Sequence, residues 1–133
     1  MARKPRPAAK PRVSEKSFQS AVIDLARYKG WKVAHFHDSR RDVGGGVLVG
    51  DSDADGFPDL VMVSTRRGVL LHVELKADDG SLTPEQYEWG LALCEAFDTF
   101  AMLLFGSVNP AMRMPFDYRL WQPKDWPEIE AVL

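Results

Sequence analysis

At 133 residues the chain has the length of one domain with short appendages, and a composition of 45% hydrophobic and 27% charged residues excludes a disordered, collagenous or disulfide-stapled architecture. Its longest apolar run, Phe100 to Phe105, is far shorter than the ~18 residues of a membrane span, and the basic start leads into no apolar signal-peptide segment. The expectation is a cytoplasmic protein with no membrane partner. The net charge of −2 hides an asymmetry, because Arg3, Lys4, Arg6, Lys10 and Arg12 give residues 1–13 a charge of +5 and leave residues 14–133 with −7. With Pro5, Pro7 and Pro11 interleaved, residues 1–13 read as a basic flexible arm and residues 14–133 as a single domain. The lone cysteine, Cys94, allows neither an internal disulfide nor a Cys-type zinc site.

In chain order, Ser14 opens a helical pattern in which Phe18, Val22, Leu25 and Ala26 recur on one face until Gly30 stops it. Trp31 to Phe36 alternates as a strand, and Asp38 to Pro58, rich in Gly, Asp and Ser, reads as a long loop. Asp59 to Ser64 and Val69 to Lys76 flank Thr65-Arg-Arg-Gly68 and predict an antiparallel hairpin. Thr83-Pro-Glu-Gln86 is a capping box with proline at the first helical position, starting a helix expected to end near Phe97. Thr99 to Phe105 is expected as an apolar strand running parallel to the second hairpin strand. Tyr118 to Gln122 reads as a short strand, and Asp125 and Pro127 begin a final helical turn or two. The predicted class is α/β, a mixed sheet with an α-β-β-β-α-β core flanked by helices.

Side chains alternate along a strand, so Glu74 and Lys76 project from one face together with His72. The hairpin sets Asp59 beside them. Two carboxylates drawn together need a shared proton or a cation, and hard oxygen ligands suit Mg²⁺ or Mn²⁺. Asp51-Ser-Asp-Ala-Asp-Gly56 begins like a calcium loop, but its twelfth position is Met62 where a bidentate glutamate is needed, so that pattern fails.

The longer constellation is Gly56-Phe57-Pro58-Asp59, then Glu74-Leu75-Lys76, then Leu82-Thr-Pro-Glu-Gln86, with Glu15 ahead of them on the first helix. It resembles the PD-(D/E)XK nuclease superfamily and, within it, the VRR-NUC (virus-type replication-repair nuclease) family of stand-alone phage or bacterial type. Ser14-Glu-Lys-Ser-Phe-Gln19, Gly30-Trp31 and Trp121-Gln-Pro-Lys-Asp-Trp126 extend the resemblance over residues 14 to about 133.

The resemblance implies a restriction-endonuclease-like sheet and a metal-dependent DNA endonuclease that takes Mg²⁺ or Mn²⁺ and no small-molecule cofactor. By that resemblance Asp59, Glu74 and the backbone carbonyl of Leu75 would ligate the ion, and Glu15 would reach it directly or through water. Lys76 would orient the attacking water or stabilise charge at the phosphate, and Gln86 would steady Lys76 or the phosphate. Branched or Holliday-junction DNA cut by a homodimer is the implied substrate. Flap cleavage, restriction-type cleavage and a catalytically inactive nucleic-acid-binding module are the alternatives. Phosphate contacts are expected from Lys4, Arg6, Arg12, His37, Arg40, Arg41, Arg66 and Arg67. His72 and Cys94 are read as packed residues. The four tryptophans are read as packing rather than base-stacking platforms.

Overall fold

The computed structural model describes residues 12–36, 41–42, 48–49, 54–106 and 115–133. Helix α1 (Glu15–Tyr28) starts where the Ser14 side chain accepts from the Ser17 amide, and Glu15 in its first turn complements the helix dipole. Strand β1 (Lys32–His35) follows, then a separate antiparallel pair, β2 (Arg41–Asp42) and β3 (Leu48–Val49), inside the stretch expected to be loop throughout. Strands β4 (Leu60–Ser64) and β5 (Val69–Leu75) form the expected hairpin. Helix α2 (Pro84–Phe105), strand β6 (Phe116–Trp121), a 3₁₀ turn (Pro123–Asp125) and helix α3 (Trp126–Val132) complete the chain.

The main sheet has four strands in the order β1-β4-β5-β6, antiparallel except for the parallel β5–β6 pair. Two antiparallel neighbours can share a tight turn, whereas a parallel pair needs a long crossover, and α2 provides it. The fold is therefore a mixed α/β one, an open mixed sheet flanked by helices.

The parallel partner of β5 is not the segment the sequence suggested. Thr99 to Phe105 is the last part of α2, which runs unbroken for 22 residues until Gly106 caps it at φ 71°. An apolar run of this length satisfies either period. Here the helix had already been nucleated at the Thr83 cap, neither proline nor glycine occurs between Gly90 and Gly106, and Phe97, Phe100 and Ala101 continue on the stripe that meets the sheet. Strand β6 takes the vacated place beside β5.

Register divides the sheet into two faces. Leu60, Met62, Leu71, Val73, Leu75 and Trp121 point to one, where Phe18, Val22 and Ala26 of α1 and Ile129 of α3 close a core over them. Each large side chain buried there contributes roughly 1.5–3 kcal/mol. The other face carries His72, Glu74 and Tyr118 and lies under α2. The C-terminus is tied down at the hairpin-turn end: the Trp31 indole donates to the Leu133 carbonyl at 3.1 Å, and Arg67 donates to the Val132 and Leu133 carbonyls while lying over the Trp31 ring.

Candidate active site

The β4–β5 register pairs Leu60 with Val73. One residue further it brings Asp59 opposite Glu74, at the end of the hairpin away from its turn. The Asp59 carboxylate accepts from the Leu75 amide at 2.8 Å. It is thus the amide of Leu75, expected to contribute its carbonyl, that is seen engaged here. Glu74 is only 1% exposed, and its Oε1 accepts from Gln86 Nε2 at 2.7 Å with Lys76 Nζ 3.6 Å away.

Burial raises the proton affinity of both carboxyls. Glu74 is pushed up to about 8, by desolvation first and then by the Asp59 charge, with Lys76 opposing. Asp59 is also raised by desolvation, against the Leu75 hydrogen bond, while Glu15 raises it further through its negative charge. The hydrogen bond between the two carboxyls favours the proton on Glu74 and the charge on Asp59. Glu15 therefore reaches this cluster through its field.

Gln86 does two things with one amide. Its oxygen accepts from the Thr83 amide at 2.9 Å, closing the capping box, and its nitrogen donates to Glu74. The capping and functional expectations are compatible because an amide has separate donor and acceptor ends.

The segment before Asp59 is locked to the start of α2. Gly56 adopts φ 81°, and a Cβ there would collide with the Glu85 carbonyl carbon and lie 2.6 Å from the Gln86 amide nitrogen. Only glycine allows this approach. Further along α2, Gly90 leaves room for the Tyr118 ring, whose hydroxyl is buried with no hydrogen-bond partner among the described residues and is raised to about 12, by desolvation and then by the Glu74 charge.

An aromatic group adjoins the carboxylates. Phe57 makes edge contacts with Phe36, His72 and Trp89 at centroid distances of 5.3, 5.9 and 5.1 Å. His72 is packed as expected, between Phe57 and Phe97, and desolvation lowers its proton affinity. Cys94 is not in the core; it is exposed on α2, because the stripe facing the sheet passes through Gly90, Phe97 and Ala101 instead.

Among the expected phosphate contacts, Arg12 pairs with Asp79 at 2.6 Å, both largely exposed, close in sequence to Glu15 and Lys76 respectively. Arg66 and Arg67 occupy the hairpin turn, about 17 Å along the strands from Asp59 and Glu74 at ~3.4 Å per residue. Arg67 is engaged there by the C-terminus. Lys4, Arg6, His37 and Arg40 lie outside the described residues, as do Asp51 and Asp53. Arg41 is placed in β2.

Tyr118, Gly90 and the Phe36–Phe57–Trp89 group join this site without being among the residues expected there. A glycine inside a helix, such as Gly90, signals a close approach, and Gly56 just ahead of Phe57-Pro58-Asp59 is a similar signal. The aromatic grouping depends on strand register and had no local signature.

Among the described residues no group of three or more His, Cys, Asp and Glu side chains is drawn together tightly enough to hold a metal ion. Asp59 and Glu74 nevertheless form an acidic pair in which one member keeps a proton near neutral pH, and that chemistry fits exchange of the proton for a hard divalent cation. No helix among the described residues is long and apolar enough to cross a membrane. No family model, curated protein or solved structure matches the chain.

Proposed function

We propose that this chain is a divalent-metal-dependent DNA endonuclease of restriction-endonuclease-like fold and VRR-NUC type, hydrolysing phosphodiester bonds in branched DNA, with a Holliday junction as the preferred substrate and a homodimer as the acting form. The observation that carries the reading is the opposition of Asp59 and buried Glu74 across the hairpin with Lys76 Nζ 3.6 Å from Glu74. Asp59 and Glu74 would hold Mg²⁺ or Mn²⁺, with Glu15 adding negative field. The ion, when bound, supplies positive charge at the phosphate and an acidified water.

The chain's own residues do the rest. Lys76 brings an ammonium beside the carboxylates, suited to orient the nucleophilic water or balance charge on the phosphate. Gln86 holds the Glu74 carboxyl in place through its 2.7 Å hydrogen bond. The Leu75 amide orients Asp59. The basic residues 1–13 supply phosphate attraction to a domain that is otherwise acidic, and binding that depends on them weakens with salt.

The test is cleavage of a labelled four-way junction, flap, nicked duplex, linear duplex and single strand with Mg²⁺, Mn²⁺ or chelator. Metal-dependent nicks that vanish in Glu74→Ala and Lys76→Ala are expected, with Lys76→Ala still binding DNA. Paired symmetric nicks in the junction support the resolvase, whereas cleavage confined to flaps or linear duplex moves the substrate to those classes. Tight binding without cleavage of any substrate would replace the enzyme by a binding module.

A further inference from the structure

Extending the β1–β4 register by one residue sets Phe36 beside Asp59, and the Phe36 amide donates to the Asp59 carbonyl at 2.9 Å. Phe36, Asp59 and Glu74 therefore form one row across three neighbouring strands, on the face that α2 covers. Strands stand about 4.8 Å apart, so Phe36 lies about one strand spacing from Asp59 and two from Glu74. A nucleotide whose phosphate sat at the carboxylates would have its base within reach of that ring.

The ring is built for such a contact. Phe36, one residue past the end of β1, is 49% exposed, which is high for a phenylalanine. It meets Phe57 edge to face, with an interplanar angle of 80° and centroids 5.3 Å apart. In that geometry at least one face of the Phe36 ring is left uncovered by Phe57, whichever ring presents its edge. Phe57 is itself braced by Trp89 at 5.1 Å and His72 at 5.9 Å, both nearly perpendicular. A stacking surface needs an accessible ring on a packed support, and Phe36 is half exposed and packed against Phe57.

Resting on the nuclease reading, we propose that Phe36, braced by Phe57 and Trp89, stacks an unpaired nucleobase beside the phosphate to be cut. A base inside a duplex already has both faces stacked on its neighbours. Phe36 therefore favours a strand whose base at that position is unpaired or turned out, as at a branch point, a flap or a single strand. Every base has a π-face, so this selects DNA structure and not sequence.

The experiment measures binding by fluorescence anisotropy with Mg²⁺ present, using the full chain carrying Lys76→Ala so that the DNA stays intact. Three probes are compared: a labelled branched DNA with unpaired thymines at the branch, the same DNA with abasic sites there, and a fully paired linear duplex. Phe36→Ala and Phe36→Leu are expected to weaken binding to the thymine-bearing DNA by about 5- to 150-fold, the range of base–aromatic stacking, and Phe36→Tyr to stay within about twofold. The abasic DNA and the duplex should not respond to position 36. Phe36→Leu keeps an apolar side chain against Phe57, and its melting curve separates lost stacking from lost folding.

Equal loss on thymine-bearing and abasic DNA, or no loss on either, overturns the stacking role. If the chain with Phe36 and Lys76 intact cuts DNA while position 36 proves indifferent to the base, only this inference falls. If that chain neither binds nor cuts any DNA, the nuclease reading falls and takes this one with it.

Discussion

Gln86 shows how one side chain joins stability to chemistry. Replacing it with alanine removes both the acceptor for the Thr83 amide and the donor to Glu74, which should lower stability by about 1 kcal/mol and the proposed nuclease activity by about 10- to 100-fold, the usual effect of losing a group that orients a metal ligand. Gln86→Glu separates the two roles, because a carboxylate still accepts from the Thr83 amide but has no donor for Glu74. Near pH 5, where Glu74 holds its proton and can donate to the new carboxylate, its melting temperature should stay near the parent's, while activity falls as in the alanine variant; full activity would reduce Gln86 to a cap. Glu74 itself sets a pH dependence. Its folded value of about 8 lies above its ordinary value of 4.5, so between those two pH values the native state binds the proton and the unfolded chain does not. Metal-free protein should therefore lose stability as pH rises from about 5 to 8, by a few kcal/mol in order of magnitude at 1.36 kcal/mol per pH unit. Glu74→Gln should flatten that slope in thermal melts. Mg²⁺ should raise the melting temperature of the parent at pH 8 and leave the variant unmoved.

The elements around the site are held by close backbone approach. Gly56 carries the chain from the preceding loop onto the first turn of α2, and its substitution by alanine meets the helix backbone as well as an unfavourable positive φ. Gly56→Ala should cost about 2–4 kcal/mol and displace Gln86, with a matching drop in activity. Gly68→Ala is the control: it has a similarly positive φ of 64°, with nothing within 4 Å of the added carbon. Chemical denaturation should find that substitution costing about 1 kcal/mol. If the two variants are equally stable, the contact between the loop and α2 contributes nothing. The length of α2 follows the same logic of continuity, since a capped helix propagates through an apolar run until a residue such as Gly106 stops it.

At the scale of the molecule, α2 keeps an apolar stripe turned away from the sheet. Tyr87, Leu91, Cys94, Met102 and Phe105 follow at helical spacing, interrupted by Asp98, and all are exposed, with Leu103 beside them 80% exposed. Such a stripe on a helix of this length suits the proposed homodimer, with two copies of α2 packed together. Sedimentation velocity should show a concentration-dependent dimer that Leu91→Glu with Met102→Glu weakens by at least about 30-fold, the size of a hot-spot loss. A parent chain that sediments as a monomer at every concentration removes the dimer from the proposal.

Much of the fold was legible locally. The Ser14 and Thr83 caps, the β4–β5 hairpin and the α/β class follow from short-range rules, because caps and turns are satisfied within a few residues. The same alternation rule identified the shared face of Glu74 and Lys76. By itself, then, the sequence determined where the two long helices and the hairpin begin, which carboxylates could meet, and which lysine would accompany them. The tertiary structure alone decided that Phe100 to Phe105 extend a helix and that Phe116 to Trp121 take the place beside β5, since a short apolar run fits either period until its neighbours choose. It also decided that Cys94 is exposed, that Tyr118 fills the gap at Gly90, and that Phe36 stands in the row with Asp59 and Glu74. Those outcomes depend on register and on the packing of residues far apart in the chain, where each position's partner is set by the whole sheet and leaves no signature in its own segment.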